Sequence, residues 1–306
     1  MQSLWMLLAS FVFAIMGVCV KLASSYYSTA EIIMYRGAIG MLFIGALALV
    51  RGETLRTRFA GHHLWRGTIG VTALWLWFYS IAQLPLSMAM TLNYMAPIWI
   101  ATILFVAGWW RGALRFEWGL LAAILTSFAG VTLLLQPSMH ASQWTSGLVA
   151  VFSGMLSALA YLQVRQLGRL GEPEFRVVFY FSATGMLAGL GGTLLTPGAI
   201  LNSAVWHTHT PKGFILLLAV GVTATVAQMA MTRAYRLGKM LVTANLQYTG
   251  IVFSSVWGVL LWHDVLGSMG WAGIAVILSS GLVATYYNAR NAQVTAAQTL
   301  ANQLRQ

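Results

Sequence analysis

A few polar side chains stand inside long apolar stretches of this chain, where their hydrogen-bonding groups need partners. Asn93 is followed four residues later by Pro97, and Asn245 is followed three residues later by Tyr248. Residues three or four apart share one face of a helix, so each pair presents its polar groups in one direction. Pro97 also removes a backbone hydrogen bond and leaves a carbonyl free. These faces are suited to hydrogen bonding with a small polar molecule, or else to bonding between helices.

Basic and aromatic residues supply the other candidates for a binding site. Arg36 lies within an apolar stretch and is able to hold a carboxylate. The alternatives for Arg36 are that it reaches toward the surface, or that Glu31 on the same helix neutralises it. Lys21 is a second candidate of this kind. Aromatic rings within apolar stretches offer flat walls, and a Tyr hydroxyl adds a polar tip. The remaining candidates are Gln228, Trp75, Tyr79, Tyr94 and Tyr161.

Catalytic and metal chemistry find no support in the sequence. All six histidines fall in or beside predicted loops, Cys19 is the only cysteine, and none of the six acidic residues falls in the middle of an apolar stretch. Metal-dependent hydrolysis needs clustered ligands, and acid–base chemistry needs a titratable group at depth. We expect no catalytic residue, no metal and no cofactor. The absence of acids at depth also predicts that any transport proceeds by facilitated diffusion, without a proton relay.

The elements that position these side chains are predicted to be membrane-spanning helices. The chain of 306 residues is 59% hydrophobic and only 8% charged. A helix of roughly 20 residues covers the ~30 Å hydrocarbon layer, where backbone amides must be satisfied within the helix. The pattern predicts an all-α integral membrane protein with ten transmembrane helices, at residues 3–22, 30–50, 64–82, 87–109, 117–136, 145–167, 175–196, 213–235, 239–262 and 268–288.

The distribution of basic residues predicts the orientation in the membrane. Of the seventeen lysines and arginines, only Lys21, Arg36 and Lys212 fall on one side, whereas Arg66 and the others fall on the opposite side. Basic residues in short loops mark the cytoplasmic face. We therefore expect both termini in the cytoplasm and the protein in the inner membrane of a bacterial cell. The net charge of +11 is then a topology signal and predicts no nucleic-acid partner.

Short sequence matches at a nearly constant offset indicate an internal repeat. Residues 70–73, Gly-Val-Thr-Ala, recur at 221–224, and the Thr-Leu-Asn of 91–93 corresponds to the Thr-Ala-Asn of 243–245. Apolar sequences match by chance, so a single match carries no weight. Several matches in the same order favour duplication of a five-helix unit.

An odd number of helices in each half predicts that the two halves enter the membrane from opposite sides, as an inverted repeat. The predicted halves are residues 1–138 and 143–288, followed by a cytoplasmic tail at 289–306. Thr249-Gly250 aligns with the Pro97 region, so each half carries a helix-breaking point near mid-membrane. Such paired breaks predict a binding site in a central cavity shared by both halves.

The chain resembles the drug/metabolite transporter superfamily, and within it the EamA-type exporters. The likeness lies in the ten helices in two halves and in the Asn-Tyr-Met-Ala-Pro segment at residues 93–97. The resemblance implies alternating-access export of a small molecule across the inner membrane through a central cavity. The likeness to bacterial exporters of aromatic and other amino acids implies amino acids as cargo, aromatic and other neutral ones first, or related small metabolites. We expect a monomer or a weak homo-oligomer in the lipid bilayer.

A multidrug exporter of cationic compounds is the main alternative. The small multidrug members of the superfamily carry a membrane-embedded Glu in their first helix, whereas residues 3–20 of this chain contain no acid. This difference disfavours proton-coupled export of cationic drugs. A membrane enzyme or a receptor is a further alternative, and neither has an evident use for an inverted repeat with matching breaks.

Overall fold

The computed structural model describes residues 2–84, 92–110, 118–135, 143–195, 206–263 and 267–303. Within these ranges the regular structure is entirely helical, which confirms the predicted all-α fold. The helices are α1 (Trp5–Ala23), α2 (Thr29–Arg51), α3 (Ala60–Gln83), α4 (Ala96–Trp110), α5 (Trp118–Leu135), α6 (Trp144–Arg169), α7 (Glu174–Leu194), α8 (Pro211–Leu237), α9 (Met240–Leu246), α10 (Thr249–Trp262) and α11 (Ser268–Gln303).

Five of the described helical stretches are long and apolar enough to cross a membrane: Gln2–Ala23, Thr29–Arg51, Trp144–Arg169, Glu174–Leu194 and Pro211–Leu237. Shorter apolar helices cover Ala96–Trp110, Leu121–Leu134 and Ser268–Ala284. The predicted total of ten transmembrane helices stays a prediction. The last helix, α11, has 36 residues and continues through most of the predicted tail. At 1.5 Å per residue it is about 54 Å long, so it extends well beyond a hydrocarbon layer.

Local sequence signals explain where several helices begin and end. Ser28 caps α2 by accepting from the Glu31 amide, and the Glu31 carboxylate accepts in return from the Ser28 amide. Gly52 ends the same helix in the left-handed conformation that glycine adopts without strain. At α8, Thr210 accepts from the Gly213 amide and Pro211 occupies the first turn, where no amide partner is needed.

The main helix contacts pair the first predicted half with the second. The most extensive are α2 with α7, α5 with α11, α1 with α8 and α3 with α6, followed by α2 with α8, α1 with α10 and α3 with α7. In the predicted repeat, α1 corresponds to α6, α2 to α7 and α3 to α8. The α1–α8 pair therefore corresponds to the α6–α3 pair, and the α2–α8 pair corresponds to the α7–α3 pair. This is the packing expected of the predicted inverted repeat. Residues 136–142, at the predicted boundary between the halves, lie outside the described ranges.

Both predicted halves contain an interrupted helix close to the predicted position. The helical turn at residues 92–93 is separated from α4 by turn residues Tyr94 and Met95, and α9 is separated from α10 by Gln247 and Tyr248. The expected breaks at Pro97 and Thr249-Gly250 are therefore shifted by one to three residues toward the N-terminus. The shift at Pro97 has a simple cause, because a proline fits the first turn of α4 without losing a hydrogen bond.

The crossing of α2 and α7 depends on a glycine. A Cβ atom on Gly189 would lie 2.5 Å from the backbone nitrogen of Met34 and 2.8 Å from the carbonyl oxygen of Ala30. A Cβ atom on Gly185 would meet the Cγ2 of Val71 at 3.9 Å, an ordinary contact. The backbones of α2 and α7 therefore touch at Gly189, as small residues at helix crossings allow.

The structure predicts different outcomes for alanine at these two glycines. Gly189→Ala forces α2 and α7 apart and should cost about 1–3 kcal/mol of stability, as overpacking in a close-packed interior does. Gly185→Ala should have little effect, since its Cβ meets only a methyl group in normal contact. Thermal unfolding of the two purified variants in detergent tests this. Equal melting temperatures for both would contradict the assigned contact.

Candidate functional site

A cavity of about 740 Å³ lies among helices of both halves, within the size range of small-molecule sites. Its wall comes from α1, α2, α3, α6, α7, α8 and α10 and from both helix breaks. The lining continues to the exposed residues Lys21, Ser24 and Ser28, so the cavity reaches the surface at the α1–α2 loop. Among the described residues, the lining includes none from the loops at the opposite end, 52–59 and 170–173.

Two buried arginines converge on one aromatic ring in this cavity. Arg36 of α2 is 6% exposed and Arg66 of α3 is 3% exposed. Their guanidinium carbons lie 5.3 Å and 4.2 Å from the centroid of Phe181 in α7. Arg36 lies about 10 Å along α2 from the start of that helix, and Arg66 lies about 9 Å along α3 from its start, which is at the opposite predicted side. Their long side chains bring both charges to the middle of the bundle.

Neither arginine has a carboxylate partner in the described part of the chain. The ion pairs there join His63 and Arg176 to Glu172, His207 to Glu31, and Arg236 to Glu174. The buried Nε of Arg36 and the Nε and Nη1 of Arg66 make no hydrogen bond within the described chain. A buried charge without a partner is costly, and the guanidinium remains charged. The cavity is therefore electropositive and provides unused hydrogen-bond donors.

The structure decides between the alternatives for Arg36. Glu31 does not neutralise it, because the Glu31 carboxylate accepts from the His207 backbone at 3.0 Å and contacts the His207 Nδ1 at 2.7 Å. Arg36 does not extend to the surface either, since 94% of the residue is buried. Both alternatives are wrong for this conformation, and Arg36 faces the cavity.

Arg66 was not predicted as a site residue. Its position near the start of a helix predicted at 64–82 placed it among the cytoplasmic basic residues. The helix begins at Ala60 instead, one turn earlier, so Arg66 lies deeper in the bundle. Gly70, one turn further along α3, leaves room for the side chain, because a Cβ there would overlap the Arg66 guanidinium and approach the Phe181 ring to 3.0 Å. The Arg-x-x-x-Gly spacing of Arg66 and Gly70 is the sequence feature that indicates room for an arginine side chain along the helix.

Gln247 is a second residue that the sequence did not single out. It occupies the break between α9 and α10 and lines the cavity. Its amide oxygen accepts from the Tyr235 hydroxyl at 3.0 Å, and its amide nitrogen donates to the Tyr161 hydroxyl at 3.4 Å. The two tyrosine rings stack at 5.1 Å. The broken helix is thereby fixed to α6 and α8 beside the cavity.

Five of the ten predicted site residues line the cavity, and five do not. The lining residues are Arg36, Asn93, Tyr94, Tyr161 and Gln228. The Asn93 amide also donates to the Ser153 hydroxyl at 2.8 Å, which in turn donates to the Ala73 carbonyl at 2.8 Å. Asn93 therefore combines the two alternatives considered for it, since it faces the cavity and also holds α6 to α3.

The other five predicted residues lie away from the lining, each for a physical reason. Tyr79 is 50% exposed on the outside of the bundle. Trp75 packs over Gly192, where its ring occupies the space that a Cβ atom on Gly192 would need. Pro97 is buried in the first turn of α4, Asn245 is 2% exposed in α9, and Tyr248 is fully buried beside Phe128.

A polar cluster ties the two halves together at the end opposite the cavity mouth. We call Thr57, His63, Glu172 and Arg176 the Glu172 cluster. The Glu172 carboxylate accepts from the Thr57 hydroxyl at 2.9 Å and from Arg176 at 3.1 Å, and it contacts the His63 Nε2 at 3.1 Å. Burial acts to raise the pKa of Glu172, but these hydrogen bonds outweigh it and lower the pKa below its ordinary value of 4.5.

Comparison with known proteins gives consistent matches over most of the chain. The profile of the EamA-like transporter family matches residues 1–136. The Pseudopaline exporter CntI of Pseudomonas aeruginosa (strain UCBPP-PA14) is 32% identical over 273 residues, covering 89% of this chain and 91% of that protein. A Riboflavin transporter of Vibrio cholerae is 26% identical over 301 residues, covering 95% of each chain.

The fold also matches a solved structure. A protein of known crystal structure superposes with a TM-score of 0.76 at 20% sequence identity, covering 93% of this chain and 98% of the other. At this level of identity the likeness establishes the fold alone.

The Glu172 cluster predicts a pH-dependent stability. Because the pKa of Glu172 is lowered in the folded protein, the cluster stabilises the fold above the ordinary value of 4.5, and this contribution is lost as the pH falls through the folded-state value. Glu172→Gln should therefore lower the melting temperature at pH 7 by about 3–6 °C and have a much smaller effect at acidic pH. Melting curves in detergent across pH test this. The exposed Glu53→Gln is the control, and a pH-independent effect of Glu172→Gln would contradict the prediction.

Proposed function

The chain belongs to the EamA-like transporter family, and we propose that it exports amino acids or related small metabolites that carry a carboxylate. The observation that supports this cargo is the cavity of about 740 Å³ in which Arg36 and Arg66 have no carboxylate partner among the described residues. A planar guanidinium binds a carboxylate through two parallel hydrogen bonds. A cargo carboxylate would offset the cost of burying these charges.

The rest of the cavity suits the side chain of such a cargo. Trp77, Phe78 and Tyr94 line it and provide apolar faces, which is the usual composition of a small-molecule site. Gln228 and Gln247 supply amides at separate points of the wall. The names of the relatives, a pseudopaline exporter and riboflavin transporters, favour transport over catalysis.

Export of cationic drugs is the less favoured alternative. A cation entering the cavity would meet two guanidinium groups, and like charges repel strongly where water is scarce. In the described chain, the buried Glu31 contacts His207 and the buried Glu172 belongs to the Glu172 cluster, so neither offers a cationic amine a free carboxylate in the cavity. Aromatic walls alone give a weak preference for cations, which these charges would oppose.

The proposed mechanism is alternating access. The cavity reaches the surface at the α1–α2 loop, and the Glu172 cluster connects the halves at the other end. With both termini in the cytoplasm, as the basic residues predict, this is an outward-facing arrangement in a bacterial inner membrane. Opening to the cytoplasm would require the Glu172 cluster to separate, and the breaks at 94–95 and 247–248 are points where the helices are able to bend.

The energy source in this proposal is the gradient of the cargo itself. Purified protein in proteoliposomes should exchange labelled for unlabelled amino acid across the membrane. Collapsing an imposed pH gradient should leave the initial rate unchanged, because the sequence has no acidic residue in the middle of a predicted span to relay protons. Loss of uptake on removing the pH gradient would contradict facilitated diffusion, whereas no exchange of any carboxylate-bearing compound would contradict the proposed function.

Replacement of one cavity arginine should weaken transport without unfolding the protein. Arg36→Leu removes a guanidinium that binds the cargo carboxylate, so the initial rate of exchange at low substrate should fall about tenfold or more. The matched control is Arg169→Leu, at an exposed position near the end of α6, which should keep the wild-type rate. Expression and gel-filtration profiles should be the same for both variants. Unchanged transport by Arg36→Leu would exclude it from the binding site.

A further inference from the structure

We infer that the cargo carries two carboxylates, one bound by Arg36 and the other by Arg66, with the apolar part of the molecule against the aromatic wall. This inference rests on the proposed function and narrows its substrate class. A neutral amino acid has a single carboxylate and would leave one of the two guanidinium groups unpaired.

The two arginines are close enough to act on one small molecule. Their Cζ atoms lie 5.3 Å and 4.2 Å from the centroid of Phe181, so together these distances limit their separation to about 9.5 Å. The ring packs against both guanidinium groups and helps to fix their positions. One molecule of modest length with a carboxylate near each end is able to bridge such a pair.

The hydrogen-bonding capacity of the wall points the same way. Several buried polar atoms of the described cavity lining make no hydrogen bond within the described chain. Each of these atoms is a nitrogen that acts as a hydrogen-bond donor. They are the Nε of Arg36, the Nε and Nη1 of Arg66, the Nε1 of Trp77 and the Nε2 of Gln228. Buried donors are normally satisfied, so the bound molecule should be rich in acceptors. Two carboxylates provide four acceptor oxygens and no donor.

These donors are part of a built site. Arg36, Arg66 and Gln228 are each more than nine-tenths buried. Arg36 and Gln228 also share a small recess with Ser182 and Thr225, at the side of the cavity. Gly70 leaves the space that the Arg66 guanidinium occupies. The positions of both charges are therefore fixed by packing before any ligand binds, which lowers the entropic cost of binding.

A cargo with two carboxylates, which is a net anion even when it also carries one ammonium group, fits export without a proton relay. A bacterial membrane potential is negative inside, so it drives anions outward. A carrier for such a cargo needs no coupling ion to move it out of the cell. This agrees with the absence of acidic residues from the middle of the predicted spans.

The test compares two ligands of nearly equal size and shape. N-benzoyl-L-glutamate carries an aromatic ring and two carboxylates, and in N-benzoyl-L-glutamine an amide replaces the second carboxylate. Binding to the purified full-length protein is measured by isothermal titration calorimetry at neutral pH. The diacid should bind about 10-fold to 100-fold more tightly than the monoamide, the usual range for a charge-assisted hydrogen-bonded contact.

Variants then assign the discrimination to the two arginines. Arg66→Gln and Arg36→Gln should each reduce the ratio of the two affinities toward one. Gly70→Ala keeps both arginines but displaces the Arg66 guanidinium, so it should also reduce the ratio. Arg169→Gln, at an exposed site, should keep the wild-type ratio. A ratio that persists in both cavity variants would overturn the assignment.

The outcomes separate this inference from the proposed function. Equal affinities for diacid and monoamide, or no binding of the diacid while amino acids exchange normally in proteoliposomes, would overturn the two-carboxylate inference and leave the proposed function standing. Preferential binding of the diacid that depends on both arginines would support the inference. Failure of every carboxylate-bearing compound to exchange would overturn the proposed function itself.

Discussion

The arrangement of this bundle depends on two positive charges held where there is little water. A guanidinium stays charged, so Arg36 and Arg66 cannot relieve their burial by losing a proton. The described chain offers them an aromatic ring and no carboxylate. Cation–π contact supplies a small part of the lost hydration. The cavity around them follows from this constraint, because water or an anionic ligand must have access to groups that the protein does not satisfy.

The helix packing explains how one chain brings these charges together. α2 and α3 contribute the arginines from opposite predicted faces of the membrane, and α7, from the second half, contributes Phe181 between them. The main described contacts join helices of different halves, so the cavity wall belongs to both. A carboxylate–histidine contact lies at each end of this assembly, Glu172 with His63 and Glu31 with His207. Each holds a loop of one half to the other half, and the cavity lies between them along the bundle.

Glycines determine how closely the helices of the bundle approach one another. Gly189 lets the backbones of α2 and α7 touch, and Gly70 gives the Arg66 side chain its place along α3. Neither residue contributes chemistry of its own. In a membrane, where apolar side chains gain little by leaving lipid, close backbone approach is a main source of helix association. The same small residues therefore define both the packing of the bundle and the position of a charged group.

The sequence by itself determined the all-helical membrane fold and predicted a helix break in each half to within three residues of its place at 94–95 and 247–248. Of the ten residues that it predicted for a binding site, five line the cavity, Arg36 and Asn93 among them. These follow from apolar length and from polar or helix-breaking residues within it, which are local properties. Only the tertiary structure decided that Arg66 and Gln247 join the cavity and that Trp75, Tyr79 and Asn245 do not. The reason is that lipid and protein interior are equally apolar, so hydropathy does not reveal which face of a helix turns inward. That choice is made by the neighbouring helices, through contacts such as Trp75 on Gly192 and Arg66 beside Gly70.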